Sequence, residues 1–202
     1  MRLMLVGKNG VGKSALALRL VRPDEFEENW DPMIADDYPT TLDVGGRSYD
    51  ITVSDTAGEL GEYDCVIGQQ QVTERLIVAA HAFLLVYDIT DRASLESLRA
   101  QRNEIINLIS TSGEASSRPV PPMVLVGTKL DLQTERAVQP AEASEFARSL
   151  VNCVACFETS AKTPAHIEEP FQALVEELLR REEVAGRERA AARTKRKSCV
   201  IL

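Results

Sequence analysis

The sequence predicts an α/β fold whose six-stranded, mostly parallel sheet has one antiparallel pair and helices on both faces. Two short runs joined by Gly45-Gly46 are typical of an antiparallel hairpin. Beyond the hairpin, strand-like and helical segments alternate, which is typical of parallel strands connected by helices. The predicted strands are Arg2–Gly7, Tyr38–Val44, Ser48–Ser54, Ala82–Asp88, Met123–Gly127 and Val154–Glu158.

Each remaining element follows from a local pattern. The Ala82 and Met123 strands are apolar on both faces, so we expect them in the middle of the sheet. Ile77–Tyr87, the longest apolar stretch, is interpreted as a helix end running into a strand. Helical spacing of apolar residues predicts helices over Lys13–Arg22, Ala93–Ile109, Pro140–Leu150 and 167–178. Periodicity stops after Gly186, which predicts one domain over residues 1–184 and a disordered basic tail over 185–202.

Composition and charge narrow the function classes. No apolar run approaches the roughly 18 residues of a membrane-spanning helix, and no signal peptide is recognisable, so we expect a cytosolic chain. The net charge is −8, yet the segment from Ala185 to Leu202 has six basic residues and one acidic residue. An acidic body argues against nucleic-acid binding, and a basic tail favours contact with an anionic membrane.

The cysteine spacing Cys153-Val-Ala-Cys156 raises the possibility of a zinc or redox site. An offset of three residues on a strand should send the two side chains to opposite faces. No second pair completes a zinc site, and a reducing cytosol argues against disulfides. We therefore expect two structural cysteines.

A phosphate-binding motif follows the first strand. Residues Gly7–Ser14, here called the phosphate loop, fit G-x-x-x-x-G-K-[ST] between a strand and a helix, which predicts a P-loop NTPase fold. Glycines let backbone N–H groups surround a phosphate, and the helix adds its positive end. Lys13 would reach the β- and γ-phosphates, and Ser14 would ligate Mg²⁺. The predicted contacts are Gly7, Asn9, Gly10, Val11, Gly12, Lys13, Ser14 and Ala15; the alternative is a glycine-rich turn without a ligand.

A second phosphate-side motif, Asp55-Thr56-Ala57-Gly58, follows the third strand. An acid at a strand end beside a phosphate loop can hold Mg²⁺ through water, and the backbone N–H of Gly58 can donate to the γ-phosphate. We therefore predict Ser14 and Asp55 as the metal-binding residues.

The base-binding residues follow the last two strands. A carboxylate at Asp131 can accept hydrogen bonds from guanine N1–H and N2–H₂, a donor pair that adenine lacks. The Lys129 stem could lie against the base. In Glu158–Lys162, here called the guanine loop, the backbone N–H of Ala161 could bond guanine O6. The predicted guanine contacts are Thr128, Lys129, Asp131, Ser160, Ala161 and Lys162.

Together these motifs resemble the Ras superfamily of small GTPases, over residues 1 to about 183 and at the C-terminal motif. The resemblance implies GTP/GDP and Mg²⁺ as ligands, GTP hydrolysis, and a monomer that meets effector, exchange and GTPase-activating proteins. Phe26 would pack against the base. Thr128 replaces the usual Ras Asn, as in Rho-type members. The segment similar to the first switch and effector loop consists of Trp30, Asp31, Pro32, Met33, Ile34, Ala35, Asp36, Asp37 and Tyr38.

Four departures from the Ras pattern concern hydrolysis. Met33 replaces a threonine that ligates Mg²⁺, and a thioether is a poor ligand for that ion. Glu59 replaces the glutamine that orients the attacking water, Asn9 replaces a glycine, and the segment after Gly58 is longer. With Lys13, Gly58 and Glu59 as the implied catalytic residues, we hypothesise atypical kinetics. The alternatives are a binding-only pseudo-GTPase adaptor and a P-loop ATPase or small kinase, which Asp131 disfavours.

The chain ends in Cys199-Val200-Ile201-Leu202, a C-a-a-X pattern whose final Leu favours geranylgeranylation of Cys199. Basic residues just upstream could supply the second membrane signal that one lipid requires. We therefore expect a lipid-anchored protein on the cytoplasmic face of a membrane, and we expect that membrane to be the plasma membrane. The alternative is a flexible basic tail that contains an accidental cysteine.

Overall fold

The computed structural model describes residues 1–24, 37–55, 69–113 and 118–198, with side chains for all of these except 69–71 and 190–198. Six strands form one sheet in the order β2-β3-β1-β4-β5-β6. β2 and β3 pair antiparallel and the other neighbours pair parallel, which confirms the predicted fold class. The strands are β1 Arg2–Val6, β2 Asp37–Val44, β3 Arg47–Ser54, β4 Ala82–Asp88, β5 Met123–Thr128 and β6 Cys153–Glu158.

Helices cover both faces of the sheet. They are α1 Lys13–Val21, α2 Gln69–Ala79, α3 Arg92–Thr111, α4 Pro140–Ser149 and α5 Glu169–Ser198, and a short 3₁₀ helix spans Leu130–Glu135. Among the described parts of the chain, no helix has the length and apolar content needed to cross a membrane. The sequence analysis detected only the end of α2, because polar residues dominate its first turns.

Helix α5 is longer than the sequence analysis predicted. It continues through Gly186 to Ser198, across residues where a disordered tail was expected. The segment from Gly186 to Ser198 is rich in Ala, Arg and Lys, which are strong helix formers, and Arg187 lies 3.7 Å from Glu183 one turn earlier. The helix therefore continues here without an apolar face, because helix-forming residues and an ion pair support it and the segment has little apolar surface to bury. The domain boundary near residue 184 stays a prediction.

Two apolar clusters, one on each face of the sheet, form the core. Alternate residues of β1 divide between them: Leu3 faces the cluster with Leu16 of α1 and Phe171 of α5, and Met4 faces the cluster with Leu98 of α3. All of these side chains are almost completely buried, and each contributes about 1.5–3 kcal/mol relative to an exposed position. The central strands β1, β4 and β5 thus rigidly carry the loops at their carboxyl ends.

The two strand cysteines differ from their prediction. Met123 pairs with Cys153 but Val124 pairs with Ala155, so Val154 is an extra residue in β6. This bulge shifts the alternation by one, and both cysteines pack against the same core cluster; the prediction of opposite faces was wrong. Burial raises the pKa of both thiols, to about 11 for Cys156, so they are protonated near neutral pH.

Candidate functional site

The phosphate loop occupies the connection between β1 and α1. Gly10 and Gly12 have φ values of +77° and +94°, in the left-handed region that glycine tolerates. A Cβ on Gly7 would lie only 2.1 Å from the carbonyl oxygen of Val86 in β4. Helix α1 begins at Lys13, and its N-cap residue Gly12 has no side chain to occupy the first N–H groups. The loop therefore has the close backbone approach and the helix N-terminus that an anion site requires.

Lys13 holds its positive charge inside this loop. Its side chain is 5% exposed. Its Nζ donates hydrogen bonds to the carbonyl oxygens of Gly7 at 2.7 Å and Lys8 at 3.0 Å. A buried ammonium requires such partners, and here both come from the loop that the sequence analysis assigned to phosphate. The side chain is thus fixed where it can meet a negatively charged group.

Ser14 and Asp55 supply oxygen donors near the same edge of the sheet. Ser14 lies in the first turn of α1, and the buried Asp55 follows the last residue of β3. β1 and β3 are parallel neighbours, with Met4 opposite Ser54, so the phosphate loop and Asp55 leave adjacent strand ends. A hydroxyl and a carboxylate fit Mg²⁺, which prefers hard oxygen ligands. Among the residues with described side chains, no group of three or more His, Cys, Asp or Glu could hold a metal.

Thr128 connects the base side of the site to the phosphate side. It ends β5, is 5% exposed, and its Oγ1 hydrogen-bonds to the carbonyl oxygen of Val11 in the phosphate loop. The same hydroxyl lies 3.0 Å from the carbonyl oxygen of Tyr87 in β4. A Cβ on Gly12 would lie 3.6 Å from the Thr128 side chain. Thr128 therefore sets the spacing between the phosphate loop and the end of β5, from which the base-binding residues follow.

Asp131 is oriented by the guanine loop. It lies on the exposed 3₁₀ helix after β5, and Ser160 Oγ donates a hydrogen bond to its Oδ1 at 2.5 Å. Ser160 is fully buried, and its Oγ accepts a hydrogen bond from the backbone N–H of Thr163 at 3.0 Å. Backbone hydrogen bonds from Leu130 to Thr159 and from Thr159 to Gly127 join the same two segments. An aspartate held by a buried serine presents its carboxylate in one orientation.

Lys129 has a partner that the sequence analysis missed. Its Nζ lies 2.6 Å from Oδ2 of Asp88 at the end of β4. The other carboxylate oxygen of Asp88 accepts hydrogen bonds from the backbone and hydroxyl of Thr90 at 2.8 and 2.7 Å. Lys129 itself has a left-handed φ of 61°. The available signal was an acidic residue at the carboxyl end of a buried strand, the position at which Asp55 was identified.

The structure brings together the phosphate-loop residues, Asp55, Thr128, Lys129, Asp131 and the guanine loop at one edge of the sheet. Asp37 and Tyr38 begin β2, and Asp37 accepts hydrogen bonds from Arg2 at 2.6 Å and Ser54 at 2.7 Å. The other predicted positions lie outside the described residues: Phe26, residues 30–36, Gly58, Glu59 and Cys199. Their roles stay predictions.

Comparison with known proteins gives one consistent family. A family model described as "Ras family" matches residues 2–180. The human Ras-related protein R-Ras is 37% identical over 174 residues, which cover 86% of this chain and 72% of R-Ras. The Ras-like protein rasC of Dictyostelium discoideum is 32% identical over 203 residues, covering 100% of this chain and 98% of rasC. The matched region contains every loop of the site described above.

Proposed function

The chain belongs to the Ras family of small GTPases, and on that premise we propose that it is a membrane-anchored GDP/GTP switch with atypical hydrolysis kinetics. As a family member it binds guanine nucleotide and hydrolyses GTP. The observation that supports nucleotide binding at this site is a pair of contacts: Thr128 joins the base side of the site to the phosphate loop, and Ser160 orients Asp131. Both halves of one nucleotide thereby meet fixed groups.

Mg²⁺ is part of the proposal. Bound Mg²⁺ would neutralise phosphate charge, and the Ser14 hydroxyl and the Asp55 carboxylate are the residues that would hold it, the latter through water. From its position inside the phosphate loop, Lys13 would place its positive charge beside the β- and γ-phosphates. The Gly58 N–H would donate to the γ-phosphate, and Glu59 would accept a hydrogen bond from the attacking water.

The atypical kinetics rest on Glu59 and Met33. A carboxylate can accept but not donate a hydrogen bond, and it places negative charge beside phosphate. The Met33 thioether cannot replace a hydroxyl as a hard ligand. We therefore propose slower hydrolysis than a glutamine at position 59 would give. The second candidate, a binding-only pseudo-GTPase adaptor, rests on the same two residues and on the lengthened segment after Gly58.

Single-turnover GTP cleavage tests the kinetic proposal. We expect Glu59→Gln to accelerate cleavage about tenfold, which corresponds to about 1.4 kcal/mol of activation free energy. Glu59→Ala, which removes the water contact without adding a donor, is the matched control and should not accelerate cleavage. Equal rates for the native protein and Glu59→Gln would contradict the proposal. Phosphate release no faster than without protein, in every variant, would favour the adaptor.

Membrane attachment is proposed through geranylgeranylated Cys199 and the basic residues before it. In eukaryotic cells, Cys199→Ser should move the protein from the membrane fraction, with the plasma membrane as the proposed location, to the soluble fraction. Cys65→Ser, which leaves the C-terminal motif intact, should keep the native distribution. Membrane association that persists in Cys199→Ser would refute the anchor.

Protein partners are proposed by class. A switch of this family would meet effectors through residues 30–38, and exchange and GTPase-activating proteins through its switch segments, while acting as a monomer. The lengthened segment after Gly58 argues that these partners differ from the usual Ras partners in how they bind the second switch.

A further inference from the structure

Arg19 is a buried arginine on α1 that none of the predicted motifs includes. It lies six residues after Lys13 and is only 8% exposed. A buried guanidinium destabilises the fold unless its N–H groups are hydrogen-bonded. Its partners therefore indicate what the residue does.

The guanidinium of Arg19 is hydrogen-bonded to the backbone of the guanine loop. Nε donates to the carbonyl oxygen of Ala161 at 2.8 Å, and Nη2 lies 3.4 Å from that of Lys162. These two carbonyls follow directly after the Ala161 N–H that is predicted to bond guanine O6. Fixing the peptides on one side of Ala161 restricts the direction in which its N–H points.

The same side chain also contacts the end of its own helix. Nη1 donates to the carbonyl oxygen of Pro23 at 2.7 Å, just after α1 ends. Pro23 leads into the segment that contains the predicted first switch. The rigid, planar guanidinium thus joins two segments separated by about 140 residues in sequence.

We infer that Arg19 is a positioning residue for guanine recognition, holding Ala161 so that its N–H meets O6 and thereby slowing nucleotide release. This inference rests on the proposed use of Ala161 for the base. Arg19 would act on the nucleotide through the guanine loop, to which it donates. Its removal should weaken the O6 contact selectively, without altering the groups that bind phosphate.

Dissociation rates of fluorescently labelled GDP and of labelled 6-thio-GDP test the inference. The thio analogue retains N1–H and the 2-amino group but replaces O6 by a larger, weaker acceptor. We expect Arg19→Gln to accelerate GDP release about tenfold. The same variant should accelerate release of the thio analogue by less than about threefold, because that contact is already weakened.

Two further variants complete the design. Arg22 is an exposed arginine that directly follows the last residue of α1. The variant Arg22→Gln should therefore release both nucleotides at native rates. Arg19→Lys keeps the charge but loses the planar fork, so its GDP release should fall between native and Arg19→Gln; it also replaces that variant if Arg19→Gln does not fold.

Equal acceleration of GDP and 6-thio-GDP in the Arg19 variants would show a general structural role and overturn the inference. So would native release rates in both. If the native protein bound neither nucleotide, the proposed function itself would fail, and that outcome is distinguishable because it is seen without any Arg19 variant.

Discussion

Replacing Thr128 by valine tests the connection between the phosphate loop and the base-binding residues. Valine is nearly isosteric with threonine, so the change removes the hydroxyl and leaves the shape. The hydroxyl has one hydrogen and two carbonyl neighbours, Val11 and Tyr87. Its loss leaves a buried carbonyl without that donor, which costs about 1–3 kcal/mol. We expect the free energy of unfolding to fall by that amount.

The same change should weaken nucleotide binding. The carbonyl of Val11 belongs to the phosphate loop, so the loop loses the contact that sets its distance from Asp131. If the full 1–3 kcal/mol appears in binding, the dissociation constant for GDP rises about 5- to 150-fold. Urea unfolding and the dissociation rate of labelled GDP measure the two effects separately.

Thr128→Ser is the matched control because it keeps the hydroxyl and removes only the methyl group. We expect its GDP dissociation rate to stay close to native, with a loss of about 1 kcal/mol in unfolding free energy from reduced apolar burial. A Thr128→Val protein with native stability and native GDP release would refute the role of the hydroxyl. GDP release that is accelerated as much in Thr128→Ser as in Thr128→Val would also refute it, because Thr128→Ser keeps the hydroxyl.

Two further predictions concern the phosphate loop and helix α5. Gly7→Ala should abolish tight GDP binding and lower the free energy of unfolding by about 1–3 kcal/mol, because the new Cβ would lie 2.1 Å from the carbonyl oxygen of Val86. Isothermal titration measures the binding. Gly186→Ala is the control and should bind GDP normally, because a Cβ on Gly186 would meet no atom within 4 Å. Hydrogen bonds from Arg180 hold the pKa of Glu177 at about 2. The ionised Glu177 therefore stabilises the fold fully above the usual carboxyl pKa, and this stabilisation is lost as pH falls toward 2. In urea unfolding, Glu177→Gln should lower the free energy of unfolding by more at pH 7 than at pH 3. An equal loss at both pH values would contradict this.

Much of the fold could be predicted because its signals are local. β4 was predicted with its observed bounds and the other strands to within about a residue. β1, β4, β5 and β6 are short, mainly apolar runs, and β2 and β3 flank the Gly45-Gly46 turn. The prediction failed where the local signal was weak or misleading. α2 begins with polar glutamines, and α5 continues on helix propensity without an apolar stripe. The bulge at Val154 reversed the predicted placement of Cys156.

The site divides in the same way. The sequence by itself was enough to predict which loops bind phosphate, metal and base, because each motif is a short run whose chemistry depends on residue type and spacing. Only the tertiary structure decided how these loops are held together. Four contacts do this, and each joins residues that are 29 to 142 positions apart in the sequence: Thr128 to Val11, Ser160 to Asp131, Lys129 to Asp88 and Arg19 to Ala161. A hydrogen bond depends on distances of a few ångströms in space, and a linear pattern contains no such distances until the sheet has brought its strand ends together.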